Sequence, residues 1–123
     1  VPYLVECDKA GLKKCVLDIV TITDFSTSSQ DKVQVFVTGS LNGNEILGPQ
    51  VAYYLAEYLA TNFGKDVGIT QLLKTREIVI VPMPNAWGFA NNQRNELAKY
   101  KPSATSTATS FLYKDAFRDF PYN

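Results

Sequence analysis

The segment GSLNGNEILG has the residue types of a metal-binding turn. It follows an apolar run, precedes a helical pattern and carries a carboxylate at Glu45. Asn42 stands at the position where a histidine ligand would be expected. Further along, Arg118 lies between Phe117 and Phe120, and a charge between aromatic side chains usually has a carboxylate partner or stacks on a ring. The segment is therefore a zinc site, the remains of one, or only a strand-to-helix turn.

Histidine and cysteine counts restrict the metal chemistry. The chain contains no histidine and 2 cysteines, Cys7 and Cys15. Two cysteines without histidine cannot build a four-ligand structural zinc site. Oxidised, the two thiols would close a short loop onto the first strand and imply a secretory route. The alternative is one exposed and one buried thiol, and the sequence does not decide between them.

Size and charge exclude several function classes. The chain has 123 residues and a mass of 13.7 kDa, which predicts one domain, and 46% hydrophobic residues favour a packed core. The 12 basic and 12 acidic residues cancel and are scattered. No basic stripe is present for phosphate backbones or anionic lipids, so nucleic-acid and membrane-surface binding are not expected. No apolar run is long enough to span a bilayer, and the N-terminus lacks a signal-peptide pattern, as a mature form would.

Apolar patterns predict an α/β order of elements. Strands are predicted over 15–22 and 33–39, and a third over REIVIVPMPN, which its prolines end. A helix is predicted over 49–63, with Val51, Leu55, Tyr58 and Leu59 at helical spacing, and a shorter one over DVGITQLLKT. Val79 to Val81 are apolar without alternation, as in a strand covered on both faces. The order indicates an α/β sheet with at least one crossover.

The pattern fades after Asn85, where a largely irregular tail is predicted. So long a tail inside a compact domain indicates that it is functional or that its packing partner lies elsewhere. Three central-type strands with one helical layer would also leave sheet edges and faces uncovered.

Four motifs in order resemble the zinc carboxypeptidases of the M14 (funnelin) type. They are GSLNGNEILG, IVIVPMPNAWGF, NNQRNE and DAFRDFP, and the resemblance runs from about Gly11 to the end of the chain. It implies a mixed, mostly parallel sheet flanked by helices, incomplete in this chain. It also implies that residues 1–123 are the N-terminal portion of a single metallocarboxypeptidase-like domain.

The resemblance also implies roles for individual residues. Glu45 matches the glutamate zinc ligand, and Arg94 the catalytic arginine that polarises the scissile carbonyl and stabilises the oxyanion. Arg118 matches the arginine that receives the substrate's terminal carboxylate, which a planar guanidinium binds in a bidentate fashion. Asp115 matches an aspartate behind the first histidine ligand.

The departures from the family pattern bear on the same site. Asn42 replaces the first histidine ligand, and its neutral amide oxygen is a far poorer zinc ligand than imidazole. Phe117 replaces an asparagine that helps Arg118 hold the carboxylate. The turn NAWG keeps Asn85 and Gly88 but has Ala86 and Trp87 in place of proline and aspartate. Zinc belongs to the family, and we expect it to be absent or weakly bound here.

Each of these residues also has a structural interpretation. Asn42-Gly43 is a common turn dipeptide, and Asn44 or Glu45 would suit a helix start. Arg94 lies in a polar run and would serve as a solvated surface arginine. Asp115 would serve as a turn residue.

Three functional hypotheses follow. The favoured one is a carboxypeptidase-like domain with a degraded zinc site, retained for binding or assembly in a secretory or secreted setting. The second is the N-terminal piece of an active zinc carboxypeptidase, which acts on peptide C-termini and is completed by a companion chain. The third is a stand-alone binding module that shares only the fold.

Overall fold

Ten helices and strands make up the part of the chain that the computed structural model describes, residues 2–7, 14–100, 110–115 and 118. In chain order they are β1 Pro2–Glu6, β2 Lys14–Val16, β3 Val20–Ile22, β4 Val33–Thr38, α1 Leu47–Asn62, α2 Val67–Thr75, β5 Arg76–Val81, α3 Ala86–Asn91, β6 Glu96–Tyr100 and β7 Ser110–Lys114. They fall into two units, which we describe separately. The strand–helix unit comprises Asp18–Gly39 and Leu47–Pro82, and the turn unit comprises Val1–Leu17, Ser40–Ile46 and Met83–Asn123.

The strand–helix unit is built on a mixed sheet with the order β3-β5-β4. β4 runs parallel to β5, with register from Val33 opposite Arg76 to Thr38 opposite Val81. β3 runs antiparallel to β5, with Val20 opposite Ile80. The sheet and its helices confirm the predicted mixed α/β class.

Apolar burial holds this unit together. Its core cluster consists of Ile22, Ala52, Leu59, Leu73, Ile78 and Ile80. The central strand β5 contributes most of the sheet's buried side chains, as its unbroken apolar run predicts. β4 lies at an edge, where Val33, Val35 and Phe36 are exposed.

The two helices of this unit confirm their predicted positions within about two residues, but the predicted buried stripe of α1 is wrong in part. Leu59 is buried and Leu55 half-buried, whereas Val51 and Tyr58 are exposed and Ala52 is buried instead. A small residue in the stripe lets the helix approach the sheet closely, so the face centred on Ala52 is buried. α2 begins after Asp66, whose Oδ1 accepts a hydrogen bond from the backbone N–H of Ile69 at 2.8 Å.

The single strand predicted over 15–22 is wrong, because this stretch forms two strands in different sheets. β2 pairs antiparallel with β1, while β3 pairs with β5. The break lies at Leu17–Ile19, where Asp18 accepts a hydrogen bond from the hydroxyl of Tyr53 at 2.9 Å. A uniformly β-branched sequence does not show where a strand leaves one sheet for another.

The turn unit contains the β1–β2 pair, helix α3 and the antiparallel pair β6–β7. A disulfide joins Cys7 to Cys15, which is the oxidised alternative of the sequence analysis. The irregular tail predicted after Asn85 is wrong for 86–100 and 110–114, which hold α3, β6 and β7. α3 has 6 residues, too few to show helical periodicity, and β6 and β7 gain their order from pairing with each other.

Among the described helices, none combines the length and apolar character needed to cross a bilayer.

Candidate functional site

The turn Ser40–Ile46 brings together the two residues predicted at the metal position. The carbonyl of Asn42 accepts hydrogen bonds from the Ser40 hydroxyl at 2.8 Å and from the backbone N–H of Glu45 at 3.0 Å. The Asn42 side chain then donates from Nδ2 to Glu45 Oε1 at 2.9 Å. Asn42 Oδ1 is buried without a hydrogen-bond partner. The turn is thus closed on itself, through an amide–carboxylate hydrogen bond.

A second group contains both arginines predicted for the site. Asp115 Oδ2 lies 3.4 Å from Nη2 of Arg94 and 3.2 Å from Nε of Arg118. The backbone N–H of Arg118 also donates to the Asp115 carbonyl at 3.0 Å. Asp115 is the more buried partner, with 18% of its side chain exposed against 47% for Arg94 and 71% for Arg118. One carboxylate therefore lies between two guanidinium groups.

The structure shows which of these residues lie together, and it does not assign their roles. Arg94, Asp115 and Arg118 are neighbours, but their catalytic and substrate-binding roles stay predictions. The placement of Asp115 behind Asn42 stays a prediction as well. Phe117 lies outside the described residues.

Asn85 links the two groups and was not predicted as a site residue. Its Nδ2 donates to the carbonyls of Leu41 at 3.2 Å and Arg94 at 3.1 Å, while its Oδ1 accepts from the backbone N–H of Gly88 at 2.8 Å. The Arg94 carbonyl also accepts from the N–H of Gly43 at 3.0 Å. The available sequence signal was an asparagine before a short helix with glycine three residues later, which is typical of an N-cap.

The residues at the predicted metal position do not fit a zinc ion. Within the described part of the chain, no three His, Cys, Asp or Glu side chains lie close enough to hold a metal together. The amide of Asn42 donates a hydrogen bond to Glu45 Oε1, so the turn places a donor beside this carboxylate where the family resemblance implies an imidazole ligand. Asn42 Oδ1 offers a neutral oxygen, whereas zinc prefers imidazole, thiolate and carboxylate.

Comparison with known proteins gives consistent matches. The sequence profile of the zinc carboxypeptidases, peptidase M14, matches residues 5–123. Carboxypeptidase D of Anas platyrhynchos is 36% identical over 58 residues, which are 47% of this chain and 4% of that protein. Carboxypeptidase A2 of Rattus norvegicus is 24% identical over 104 residues, which are 85% of this chain and 25% of that protein.

A solved structure shares the fold. The crystal structure of thrombin activatable fibrinolysis inhibitor superposes with a TM-score of 0.63 and 16% sequence identity, over 83% of this chain and 25% of that chain. The chain spans a quarter or less of the length of each of these relatives.

Proposed function

We propose, on the premise that this chain belongs to the zinc carboxypeptidase family M14, that residues 1–123 form the N-terminal portion of a single carboxypeptidase-like domain with a degraded zinc site. The domain is retained for binding or assembly rather than for peptide hydrolysis. Zinc is the metal of the family named by the matching profile.

The hydrogen bond from Asn42 Nδ2 to Glu45 Oε1 carries this proposal. At 2.9 Å the amide donates to one oxygen of the carboxylate that the family resemblance assigns to metal binding. An asparagine Nδ2 has no lone pair for a metal and only donates hydrogen bonds. The group beside the Glu45 carboxylate is therefore a hydrogen-bond donor where the resemblance implies a second metal ligand, which leaves Glu45 without its first histidine partner.

The arginine pair supports a binding role. Arg94 and Arg118 keep the residue types that the resemblance assigns to carbonyl and carboxylate contacts, and both lie against Asp115 Oδ2. Guanidinium groups bind carboxylates without a metal. A peptide C-terminus is the ligand that this chemistry suits.

An active enzyme completed by a companion chain is the second candidate. The match to carboxypeptidase A2 favours it, because the matched residues are only 25% of that protein and the rest of its domain has no counterpart in this sequence. The exposed edge strand β4, with Phe36 66% exposed, gives the remainder of the domain a strand to pair with. Mass analysis of the native protein under denaturing conditions tests this candidate, which expects a second polypeptide that carries the remainder of the domain.

Metal analysis of the whole native assembly tests the degraded site. We expect less than one zinc per chain and no release of C-terminal residues from peptides. Asn42→His replaces the donor by an imidazole ligand, so zinc affinity should rise about tenfold or more. Asn44→His is the matched control, because Asn44 is exposed in the same turn. Stoichiometric zinc together with release of C-terminal residues by the unmodified protein would overturn the proposal in favour of the active enzyme.

A secretory location is part of the proposal. The Cys7–Cys15 disulfide supports it, since structural disulfides persist mainly in oxidising compartments. We would alkylate the freshly isolated native protein with and without prior reduction. The reagent should label Cys7 and Cys15 only in the reduced sample. Labelling of both without reductant would argue against a secretory location.

A further inference from the structure

Asn85 is a buried polar side chain that makes three hydrogen bonds beside the candidate site. It is 1% exposed, and its amide is placed among backbone groups of three segments. Both N–H bonds of Nδ2 are used, one on the Leu41 carbonyl and one on the Arg94 carbonyl, while Oδ1 accepts from Gly88. A buried amide whose two donors and carbonyl oxygen are all hydrogen-bonded fixes the groups around it, because a shift would leave a polar atom unpaired.

The backbone of Asn85 adds to the same arrangement. Its N–H lies 3.3 Å from the Ser40 carbonyl, and its own carbonyl accepts from Phe89 at 3.0 Å. Main chain and side chain thus hold the start of the turn Ser40–Ile46 on one side and α3 on the other.

Two glycines let these segments approach more closely than side chains would allow. A Cβ on Gly43 would overlap the backbone of Gly88 and the Gln93 carbonyl. A Cβ on Gly88 would lie 2.6 Å from the side-chain atoms of Asn85. The close approach allows the Gly43 N–H to reach the Arg94 carbonyl at 3.0 Å, beside the hydrogen bond from Asn85.

We infer that Asn85 is the positioning residue of the candidate site: it holds the backbone of Arg94 against the turn that carries Asn42 and Glu45. Its side chain hydrogen-bonds to backbone groups of Leu41, Arg94 and Gly88, so its effect passes through the backbone. The importance given to Arg94 rests on the proposed function, whereas the positioning itself does not depend on zinc or peptide.

Asn85→Ser separates positioning from helix capping. A serine hydroxyl accepts from the N–H at Gly88, as a good N-cap does, but it cannot donate to the carbonyls of Leu41 and Arg94 together. Amide hydrogen exchange of the full chain is the measurement. We expect exchange at Gly43 to accelerate roughly tenfold to hundredfold while exchange at Gly88 changes by less than about threefold. The Gly43 N–H bonds to Arg94 and not to Asn85, so it reports the position of Arg94.

Asn85→Asp provides a second readout with a defined pH dependence. The carboxylate keeps the acceptor for Gly88 but points a negative oxygen at two carbonyls, which accelerates exchange at Gly43 at neutral pH. Protonation restores one donor, so protection of Gly43, corrected for the intrinsic exchange rate, should return in part on acidification. Asn85→Ser should show no such recovery.

Asn91→Ser is the matched control within the turn unit. Its Nδ2 also donates to two backbone carbonyls, those of Cys7 and Trp87, both at 3.0 Å. We expect it to leave exchange at Gly43 unchanged. Equal exchange at Gly43 in the Asn85→Ser variant and the unmodified chain would overturn the inference and leave Asn85 a helix cap. If Asn85→Ser unfolds the whole chain, recovery of Gly43 protection in Asn85→Asp on acidification decides, and no recovery also overturns it. These exchange measurements do not depend on zinc content, so they can fail independently of the proposed function.

Discussion

The two units of this chain are stabilised by different physical means. The strand–helix unit buries an apolar cluster between its sheet and its helices, and Ile80 at its centre is fully buried. In the turn unit, a disulfide, short antiparallel pairs and the hydrogen bonds of Asn85 join segments that bury few large apolar side chains among the residues described there. The strand–helix unit therefore depends on buried apolar volume, whereas the candidate site in the turn unit depends on the placement of hydrogen-bond donors and acceptors.

Removing apolar volume at Ile80 should give the largest effect. Ile80→Ala leaves a cavity in a fully buried position and should lower the free energy of unfolding by about 2–5 kcal/mol. Val35→Ala, at a position 40% exposed on β4, is the control and should cost less than about 1 kcal/mol. Denaturant unfolding of the full chain measures both. Equal costs for the two variants would contradict an apolar core centred on β5.

Opening the Cys7–Cys15 disulfide should give the next largest effect, confined to the turn unit. The sequence separation of 8 residues closes a short loop, so reduction should destabilise this unit by about 2–3 kcal/mol. Asn91 Nδ2 donates to the Cys7 carbonyl. When reduction loosens the β1–β2 pair, the backbone amides of α3 should therefore lose protection from hydrogen exchange. Exchange at Gln93, whose N–H bonds to the Gly88 carbonyl, should accelerate on reduction, and exchange at Thr70 in α2 should not.

A variant lacking both cysteines provides the control for this prediction. The Cys7→Ala, Cys15→Ala chain should show accelerated exchange at Gln93 with or without reductant. If reductant changes Thr70 as much as Gln93, the two units do not differ in the way we describe.

The same contrast explains what the sequence could predict. In the strand–helix unit, the two helices and β4 were found within about two residues because their apolar patterns are visible in the sequence, whereas the boundary of β3 was missed. The errors there were local: Val51 and Tyr58 were expected on the buried face, which is instead centred on Ala52. Small residues carry little hydrophobic signal, although they decide how closely a helix approaches a sheet.

The turn unit was harder to predict because its order comes from pairing and from single polar contacts. β6 and β7 gain their hydrogen bonds from one another, so neither carries a strong pattern by itself. The individual roles of Arg94, Asp115 and Arg118 came from the family resemblance, and the ion pairs that join the three residues were not predicted. The role of Asn85 depends on the carbonyls of Leu41 and Arg94, which lie 44 residues before it and 9 residues after it. No local sequence pattern reveals such contacts.

The smallest expected effect concerns Asp24, a buried polar exception in the apolar unit. It is 8% exposed, and its Oδ1 accepts hydrogen bonds from the Ser26 hydroxyl at 2.6 Å and the Ser26 N–H at 2.9 Å. These two hydrogen bonds, with weaker attraction from Lys32 and Lys74 and against the opposing effect of burial, lower the pKa of Asp24 below its ordinary value of 3.8. The ionised form is therefore favoured in the folded state.

The sign of the pH dependence follows from that direction. A carboxyl whose folded pKa lies below its unfolded pKa stabilises the fold above the unfolded value, and this contribution is lost as pH falls through the folded value. The free energy of unfolding should therefore decrease as the pH falls below 3.8, the ordinary pKa of this carboxyl. Asp24→Asn should make the free energy of unfolding less dependent on pH in this range. Ser26→Ala removes the hydroxyl donor, which raises the folded-state pKa of Asp24 toward its unfolded value, so the loss of stability on acidification should be smaller and should end at higher pH. Thermal unfolding of the full chain between about pH 2 and pH 6 measures the shift.

Asp31→Asn removes the same charge from an exposed turn position and is the control. If Asp24→Asn and Asp31→Asn give the same profile, the Ser26 hydrogen bonds do not stabilise this unit, and its stability rests on apolar burial alone.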